Sequence, residues 1–568
     1  MTDAVRSHGF TALGPLHESL ARLTGWKAAL AAAVFGALAA FAFAPFHFSA
    51  VLAISFTALV WMIDGARAHR RWGRQVALRG WAFGSGFFLV SMHWTAMPFL
   101  VNPEQHLAFI WLPLIVLPAG MGLIWGACAA MAGAFWSASP SRIFVFAAFF
   151  AFAEWLRGHL FGGFPWNLPG TTWIPGGALS QTASVGGVYW LTLLTVFVMA
   201  APAALVDTRD ARGLGLRLAP SFAAVVTLAF GWAWGAERIA GPSPMTDQQV
   251  VIMDAGVPQA DWDRVQPSAV LGVYVGMLGY SDSKPGDIVV WPEGAVPGFL
   301  LQESESLDAI SSYIGERTLI VGATRYEWFS EETPVYYNSL AVLDASANQT
   351  GPIALYDKHR LVPFGELAAV DFIPFGRQFA ALLPPTTQRL AASGFRPGAG
   401  PTAIDLSRAG PPGEPGSPSL AGRLPSQVSI APFVALICYE GLFPEITRNA
   451  NLTDRAQWIV LISNDAWFGA GMGPAQHYAQ NRYRTIETGL PLVRAANRGM
   501  SGIVDGYGRE TLRTAPAETA PEGWATTYGR DRIPEPAPPT IFQTRFGAVL
   551  FWFSLCVFAL LAFLSWRR

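Results

Sequence analysis

Between residues 28 and 236 the chain repeats one pattern, apolar runs near 28–45, 50–64, 80–99, 108–134, 143–158, 184–205 and 218–236 separated by short polar connections, and a last run covers 544–565. A helix needs about 20 apolar residues to cross a hydrocarbon core roughly 30 Å thick. In lipid it must also satisfy its backbone N–H and C=O groups within the segment. The runs at 50–64 and 143–158 are the short ones. Such a chain is committed to an α-helical transmembrane bundle, here of about eight spans. Charged residues make up 14% of the whole, against about 25% in an ordinary soluble protein, and the deficit is local. Charges are sparse from Trp26 to Trp234, ordinary from Asp247 to Arg532, and sparse again near the C-terminus. The order is therefore membrane, soluble, membrane. Residues 1–246 read as an N-terminal membrane domain, 247–535 as a soluble domain and 536–568 as a C-terminal span.

Basic residues orient the bundle. Arg67, Arg70, Arg71, Arg74 and Arg79 fill the second connection, Arg142 marks the fourth, and Arg209, Arg212 and Arg217 mark the sixth. The connections Ala44–Ser49, Val101–His106 and Phe161–Ala183 hold no Lys or Arg. Basic connections stay in the cytoplasm, which puts both termini inside, with Arg567 and Arg568 as an anchor, and the soluble domain outside. Arg6, Arg22 and Lys27 precede the first run as in a signal peptide. No small-residue cleavage site follows into soluble sequence, so the first helix is read as retained. A net charge of −1 gives no reason to expect nucleic acid as a partner. Of three cysteines, Cys128 and Cys556 lie in apolar runs, so only Cys438 belongs to the soluble part and a disulfide framework is excluded.

Within the soluble part, Val250–Met253, Asp287–Trp291, Thr318–Val321, Ser339–Leu343, Val434–Cys438, Trp458–Ile462 and Leu492–Ala495 read as buried strands. Helices are expected near 263–280 and 475–488. Pro/Gly/Ser-rich sequence between Ile404 and Val428 is too poor in apolar residues to build a core and reads as a surface loop. The apolar segment Phe372–Leu383, interrupted by Pro374 and Gly376, is expected to form a mobile lid at the bilayer surface.

Three motifs carry chemistry. Ile288-Val289-Val290-Trp291-Pro292-Glu293 is an apolar strand ending in a carboxylate. Tyr356-Asp357-Lys358-His359 precedes Leu361-Val362-Pro363-Phe364-Gly365-Glu366. Val434-Ala435-Leu436-Ile437-Cys438-Tyr439-Glu440 is a second buried strand, ending in a thiol and a carboxylate. The carboxyl ends of strands in open α/β sheets are where reactive groups gather. Glu, Lys and Cys together there supply a base, an oxyanion donor and a nucleophile. Each has a plain alternative. A Cys ending an apolar strand packs as a small core residue. A Glu after Trp-Pro caps a turn or helix, and Lys358 beside Asp357 and His359 can be a solvated loop. His93, Glu154 and His159 are polar groups in or near spans, placed at the interface, and His477 reads as a cap of the 475–488 helix.

The three motifs, in this order, resemble the nitrilase superfamily. With the spans they resemble its membrane branch, the apolipoprotein N-acyltransferases. Asn464-Asp465-Ala466-Trp467-Phe468, Gly473-Pro474-Ala475-Gln476-His477 and Arg494-Ala495-Ala496-Asn497-Arg498-Gly499 continue the match. The resemblance implies an αββα sandwich and acyl transfer from a phospholipid to the N-terminal amine of a diacylglyceryl apolipoprotein. It places the family's Glu-Lys-Cys triad on Glu293, Lys358 and Cys438, and a second active-site carboxylate on Glu366. It also implies that Tyr439, Glu440, Trp166 and Trp262 handle substrate. The chain departs from the family on its first strand, with Met253-Asp254-Ala255-Gly256-Val257-Pro258-Gln259 in place of Val-Gln-x-Asn-Ile-x-Gln. No metal or cofactor motif is present, and none is expected. A membrane-tethered amidase that hands the same thioester to water is the alternative.

Overall fold

A computed structural model of the chain describes residues 13–206, 214–262, 264–330, 333–344, 351–363, 365–366, 394–407, 430–454, 456–519 and 523–566. The expected lid, 372–383, and most of the expected 404–428 loop lie outside the described residues.

The membrane part comprises α1 (Gly14–Ala21), α2 (Gly25–Ala39), α3 (Ala50–Arg67), α4 (Trp72–Ser91), α5 (Pro103–His106), α6 (Leu117–Ala134), α7 (Arg142–His159), α8 (Ala183–Ala200) and α9 (Leu214–Arg238). Six helical stretches among the described residues are long and apolar enough to cross a membrane: Gly25–Ala42, Ala50–Arg67, Pro103–Ala134, Arg142–Gly162, Leu179–Val206 and Leu218–Arg238. Two of the eight expected runs, those of α4 and of the C-terminal helix, are not in that group. Helix α4 nonetheless packs inside the bundle through small residues. A Cβ on Gly84 would lie 2.9 Å from Gly122 of α6, and one on Gly86 would meet the Ala33 carbonyl of α2 at 2.0 Å. Glycine permits this backbone approach where lipid supplies no hydrophobic drive between helices.

Helix α4 corrects the reading of the second connection. It starts at Trp72, so Arg74 and Arg79 lie on the helix rather than in the loop. Arg79 is buried and donates to the carbonyls of Met62 and, at 2.6 Å, Leu23. The Leu23 carbonyl lies in the link between α1 and α2, where acceptors lack intrahelical partners, and the Met62 carbonyl lies within α3. Glu154 is likewise interior rather than interfacial. It pairs with Arg157 at 2.5 Å, both side chains fully buried, and accepts from Trp125 Nε1 at 2.7 Å.

The soluble part opens with β1 (Met245–Asp254) and continues through α10 (Pro267–Tyr280), β2 (Ile288–Val290), α11 (Ser304–Ile314), β3 (Thr318–Ser330), β4 (Thr333–Asp344), β5 (Ala354–Asp357) and β6 (Ala403–Ile404). Then come β7 (Phe433–Ile437), α12 (Pro444–Asp454), β8 (Trp458–Asn464), α13 (Met472–Thr488) and β9 (Leu492–Asn497). It closes with β10 (Gly502–Val504), β11 (Glu510–Arg513), β12 (Ala515–Thr519), β13 (Ala525–Pro534) and the apolar helix α14 (Arg545–Trp566). One sheet has the order β12-β13-β1-β2-β3-β4-β5 and the other β11-β10-β9-β8-β7-β6. In the middle of each, β1-β2-β3 and β7-β8-β9 run parallel. Parallel strands are covered on both faces, which is why they are legible as unbroken apolar runs. The expected strands are all present, β3 and β4 running well past their expected ends.

Side chains alternate across each strand. Phe433, Ala435 and Ile437 point between the sheets with Val250, Ile252, Val290 and Ile320. The alternate residues of the first sheet, Val251, Val289 and Leu319, pack under α10 and α11. Val434 and Leu436 face the other way, and their core is continuous with that of the membrane helices. The αββα sandwich therefore rests one outer layer on the bundle.

Candidate active site

The three motif side chains come together at the carboxyl ends of β2, β5 and β7. Glu293 follows β2 through Trp291-Pro292, a turn held by Gly322 N–H donating to the Pro292 carbonyl at 3.2 Å. A Cβ at Gly322 would sit 2.5 Å from Glu293 Cα, so β3 can approach this turn only as glycine. Lys358 follows β5, its N–H donating to the Asn338 carbonyl of β4 at 2.8 Å. Cys438 follows β7 with φ +51°, a left-handed conformation that costs a non-glycine residue energy and clusters at functional sites.

Lys358 Nζ donates to Glu366 Oε1 at 2.9 Å and to Glu293 Oε1 at 3.2 Å. Asn338 Nδ2 donates to the same two oxygens, at 2.8 and 2.7 Å. An ammonium and an amide thus tie two carboxylates into one ring. Glu293 Oε2 also accepts from Asn464 N–H, and Glu366 Oε2 from Val362 N–H, both at 2.8 Å. Burial alone would lower the Lys358 ammonium, but Glu293 and Glu366 more than offset this and hold it well above its ordinary value. The Cys438 thiol moves up, first through burial and then through the Glu293 charge, with Lys358 and a hydrogen bond from Ser463 opposing. A thiol held neutral at rest needs a base to take its proton as it attacks, which suits the neighbouring Glu293.

Glu440 is fully buried and braces the site. Its Oε1 accepts from Tyr356 OH at 2.9 Å and from the N–H groups of His359 and Arg360 at 2.8 and 3.0 Å. Its Oε2 accepts from Ile437 N–H at 2.9 Å, so one carboxylate joins the Lys358 loop to the Cys438 turn. Tyr439 is buried too and donates its hydroxyl to the Gly163 carbonyl of the membrane domain. Trp262 is half-buried beside Gly294, the residue after Glu293. Trp166 is buried, its Nε1 donating to Gln476 Oε1 at 2.8 Å and its ring stacked 5.5 Å from that of His477.

Several contributors escaped the sequence reading. Asn338 reads as one polar residue in an apolar strand. Ser463 and Asp465 sit in or beside motifs without announcing a contact. His477 is not a cap: the helix begins at Met472, and His477 lies inside it, fully buried. Its Nδ1 lies 3.0 Å from Asp465 Oδ1 and its Nε2 3.3 Å from the Cys438 carbonyl oxygen. Arg494 Nη2 donates to Asp465 Oδ2 at 2.9 Å. On the departing first strand, Asp254 accepts from Gly256 N–H at 2.8 Å and Arg498 N–H at 2.9 Å, which braces the end of β9.

Helix α13 links the two parts of the protein through two faces. Gln476, Gln480, Tyr483 and Glu487 recur at intervals of four, three and four, which is one helical face. Gln476 accepts from Trp94 and Trp166, and Gln480 Oε1 from Asn167 N–H at 2.8 Å. Tyr483 donates to the Trp173 carbonyl at 2.6 Å, and Glu487 Oε1 accepts from Val188 N–H at 2.8 Å. The neighbouring row faces the nucleophile turn. His477 reaches Cys438, Asn481 Oδ1 accepts from Arg494 Nε at 3.0 Å, and Arg484 Nη1 donates to the Leu442 carbonyl at 3.2 Å.

Residues 35–201 match the model of the apolipoprotein N-acyltransferase N-terminal domain, and residues 275–512 match that of the carbon-nitrogen hydrolases. A protein named apolipoprotein N-acyltransferase from Brucella melitensis is 36% identical over 514 residues, covering 86% of this chain and 88% of its own length. Proteins of the same name from Caulobacter vibrioides and Bradyrhizobium diazoefficiens are 34% and 35% identical, over 85% and 91% of this chain and 86% and 91% of theirs. A likeness that runs through the bundle and the sandwich alike makes this membrane protein an acyltransferase of the apolipoprotein N-acyltransferase family.

Proposed function

We propose that the protein moves a fatty acyl group from a phospholipid, through a thioester on Cys438, to the N-terminal amine of a diacylglyceryl apolipoprotein. The observation that carries this reading is Lys358, held between Glu293 and Glu366 at the strand end next to Cys438. Glu293 takes the thiol proton as sulfur attacks the ester carbonyl carbon. The Lys358 ammonium and a backbone N–H hold the oxyanion. As the C–O bond breaks, the lysophospholipid oxygen takes the proton back from Glu293. The acceptor amine then attacks the thioester, giving a proton to Glu293 that passes to the departing sulfur. Ester, thioester and amide follow downhill or nearly level, so no nucleotide is consumed. Glu366 and Glu440 position Lys358 in this scheme, and Tyr439, Trp166 and Trp262 line the approach.

The reading places the chain in a bacterial inner membrane, with residues 247–535 on the periplasmic side between the membrane segments 1–246 and 536–568. Basic residues at Arg67, Arg70, Arg71 and Arg142 support that orientation. The bonding of α13 to the bundle favours lipid-anchored substrates over the soluble amide of a tethered amidase. Mass spectrometry of the purified protein incubated with phospholipid vesicles is the test. A fatty acyl mass is expected on Cys438, absent from Cys438→Ala. An unmodified Cys438, or N-acylation by the Ala variant, would overturn the mechanism.

A further inference from the structure

Four cations line the seam between the membrane loop 163–166 and the Cys438 turn, and three of them are paired. Arg157 is bound to Glu154, Lys358 to Glu293 and Glu366, and Arg484 to Glu487 at 2.8 Å. Arg360 differs. Its backbone N–H is fixed on Glu440, yet its guanidinium has no carboxylate or carbonyl partner among the described residues, and its Nε is buried without one. The group lies over the Phe443 ring, its Cζ 4.5 Å from the centroid. It also lies against the membrane loop, because a Cβ on Gly163 would come within 2.9 Å of Nη2. The residue as a whole is partly exposed.

A guanidinium held over an aromatic ring keeps its N–H fork free, the arrangement that suits a phosphate. Leaving such a cation unpaired in a half-buried seam carries a desolvation cost. That cost is recovered when an anion enters. The seam adjoins Cys438, whose next residue, Tyr439, donates its hydroxyl to Gly163 at the same place. In a glycerophospholipid the reactive ester and the phosphodiester are separated by the glycerol carbons alone. We propose that the Arg360 guanidinium is the phosphate subsite of the acyl donor, gripping the phosphodiester while the ester carbonyl lies at Cys438. This rests on the reading that the donor is a phospholipid. It adds that the phosphate is recognised directly, so the enzyme distinguishes phospholipid from diacylglycerol with the same acyl chains.

The test measures thioester formation on Cys438 in mixed detergent micelles containing either dipalmitoyl phosphatidylglycerol or dipalmitoylglycerol. For the wild-type protein, kcat/KM is expected to favour the phospholipid. Arg360→Gln should collapse that ratio by about 10–100-fold, the range for losing one charge-assisted, forked contact. Arg360→Lys, which keeps the charge but not the fork, should retain an intermediate ratio. Thermal melting of each variant checks folding. A ratio unchanged in Arg360→Gln would overturn the subsite. So would an equal fall with both lipids, which would make Arg360 a brace of its loop. If the wild-type protein takes no acyl group from the phospholipid, the donor reading fails first, and the subsite falls with it.

Discussion

Two buried charge clusters flank Cys438, and their contact lengths are nearly the same. On one side Lys358 meets Glu366 at 2.9 Å, and on the other Arg494 meets Asp465 at 2.9 Å. What differs is access. The side chains of Glu293 and Glu366 keep 10% and 12% exposure, whereas Asp465, His477 and Arg494 have none. Burial alone would raise Asp465, but Arg494 and His477 outweigh it and hold that carboxyl well below the usual range. The sealed cluster grips backbone, through His477 at the Cys438 carbonyl and Arg494 at the Met500 carbonyl. The carboxylates of the open cluster keep contact with solvent, as the proton exchange proposed for Glu293 requires. Distance alone does not separate a structural ion pair from a working one; exposure and what each pair holds do.

The largest break in this comparison is expected from Arg494→Met. It leaves Asp465 buried without its guanidinium, and removing one partner of a buried pair costs about 3–5 kcal/mol. Thermal unfolding of the purified protein should fall accordingly. Lys358→Met should act the other way round. Thioester formation is expected to drop by about 10²–10³, the usual loss for an oxyanion donor, while melting changes far less. If Lys358→Met unfolded the protein and Arg494→Met merely slowed it, the two clusters would have to exchange roles.

Asp254 sharpens the contrast, being a buried carboxylate held by N–H groups with no cation bonded to its oxygens among the described residues. Burial raises it from 3.8 to about 6, with the Gly256 and Arg498 N–H groups opposing. A carboxyl whose folded pKa is raised binds its proton more tightly in the folded state. Its contribution is therefore complete below pH 3.8 and is lost as pH rises through about 6. Two pKa units correspond to roughly 2–3 kcal/mol. Asp254→Asn should flatten the dependence of stability on pH between 4 and 7, measured by denaturation at each pH. An unchanged slope would mean that another group sets it.

The smallest effect is expected at Asn338. Asn338→Ala removes two hydrogen bonds to charged carboxylates but leaves Lys358 in place, so acylation should slow by about 10-fold, within the range for one such bond. A full loss would place Asn338 level with Lys358 in the open cluster.

Residue order alone carried a good deal. The alternation of apolar and charged stretches set membrane against soluble sequence, because no polar backbone can be left unsatisfied in lipid. Unbroken apolar runs marked β2, β7, β8 and β9, because parallel strands are buried on both faces. The motifs ending β2 and β7 pointed to Glu293 and Cys438, and the Tyr356–His359 motif to Lys358, which the fold brings to the same strand ends. Other features were decided by contacts across the chain. Trp166 and Gln476 are 310 residues apart, and Asn464 and Glu293 are 171 apart. The polar spacing along α13 is visible in the sequence, yet polar residues at helical intervals ordinarily face water. Only docking between bundle and sheet made one row a tie to the membrane domain and the next a support for the nucleophile. Arg79 taught the same lesson within the bundle, where charge read as a loop marker became an interior donor once α4 packed against α3 and the link between α1 and α2. A side chain's type limits which bonds it can make, and tertiary packing decides which partners are within reach.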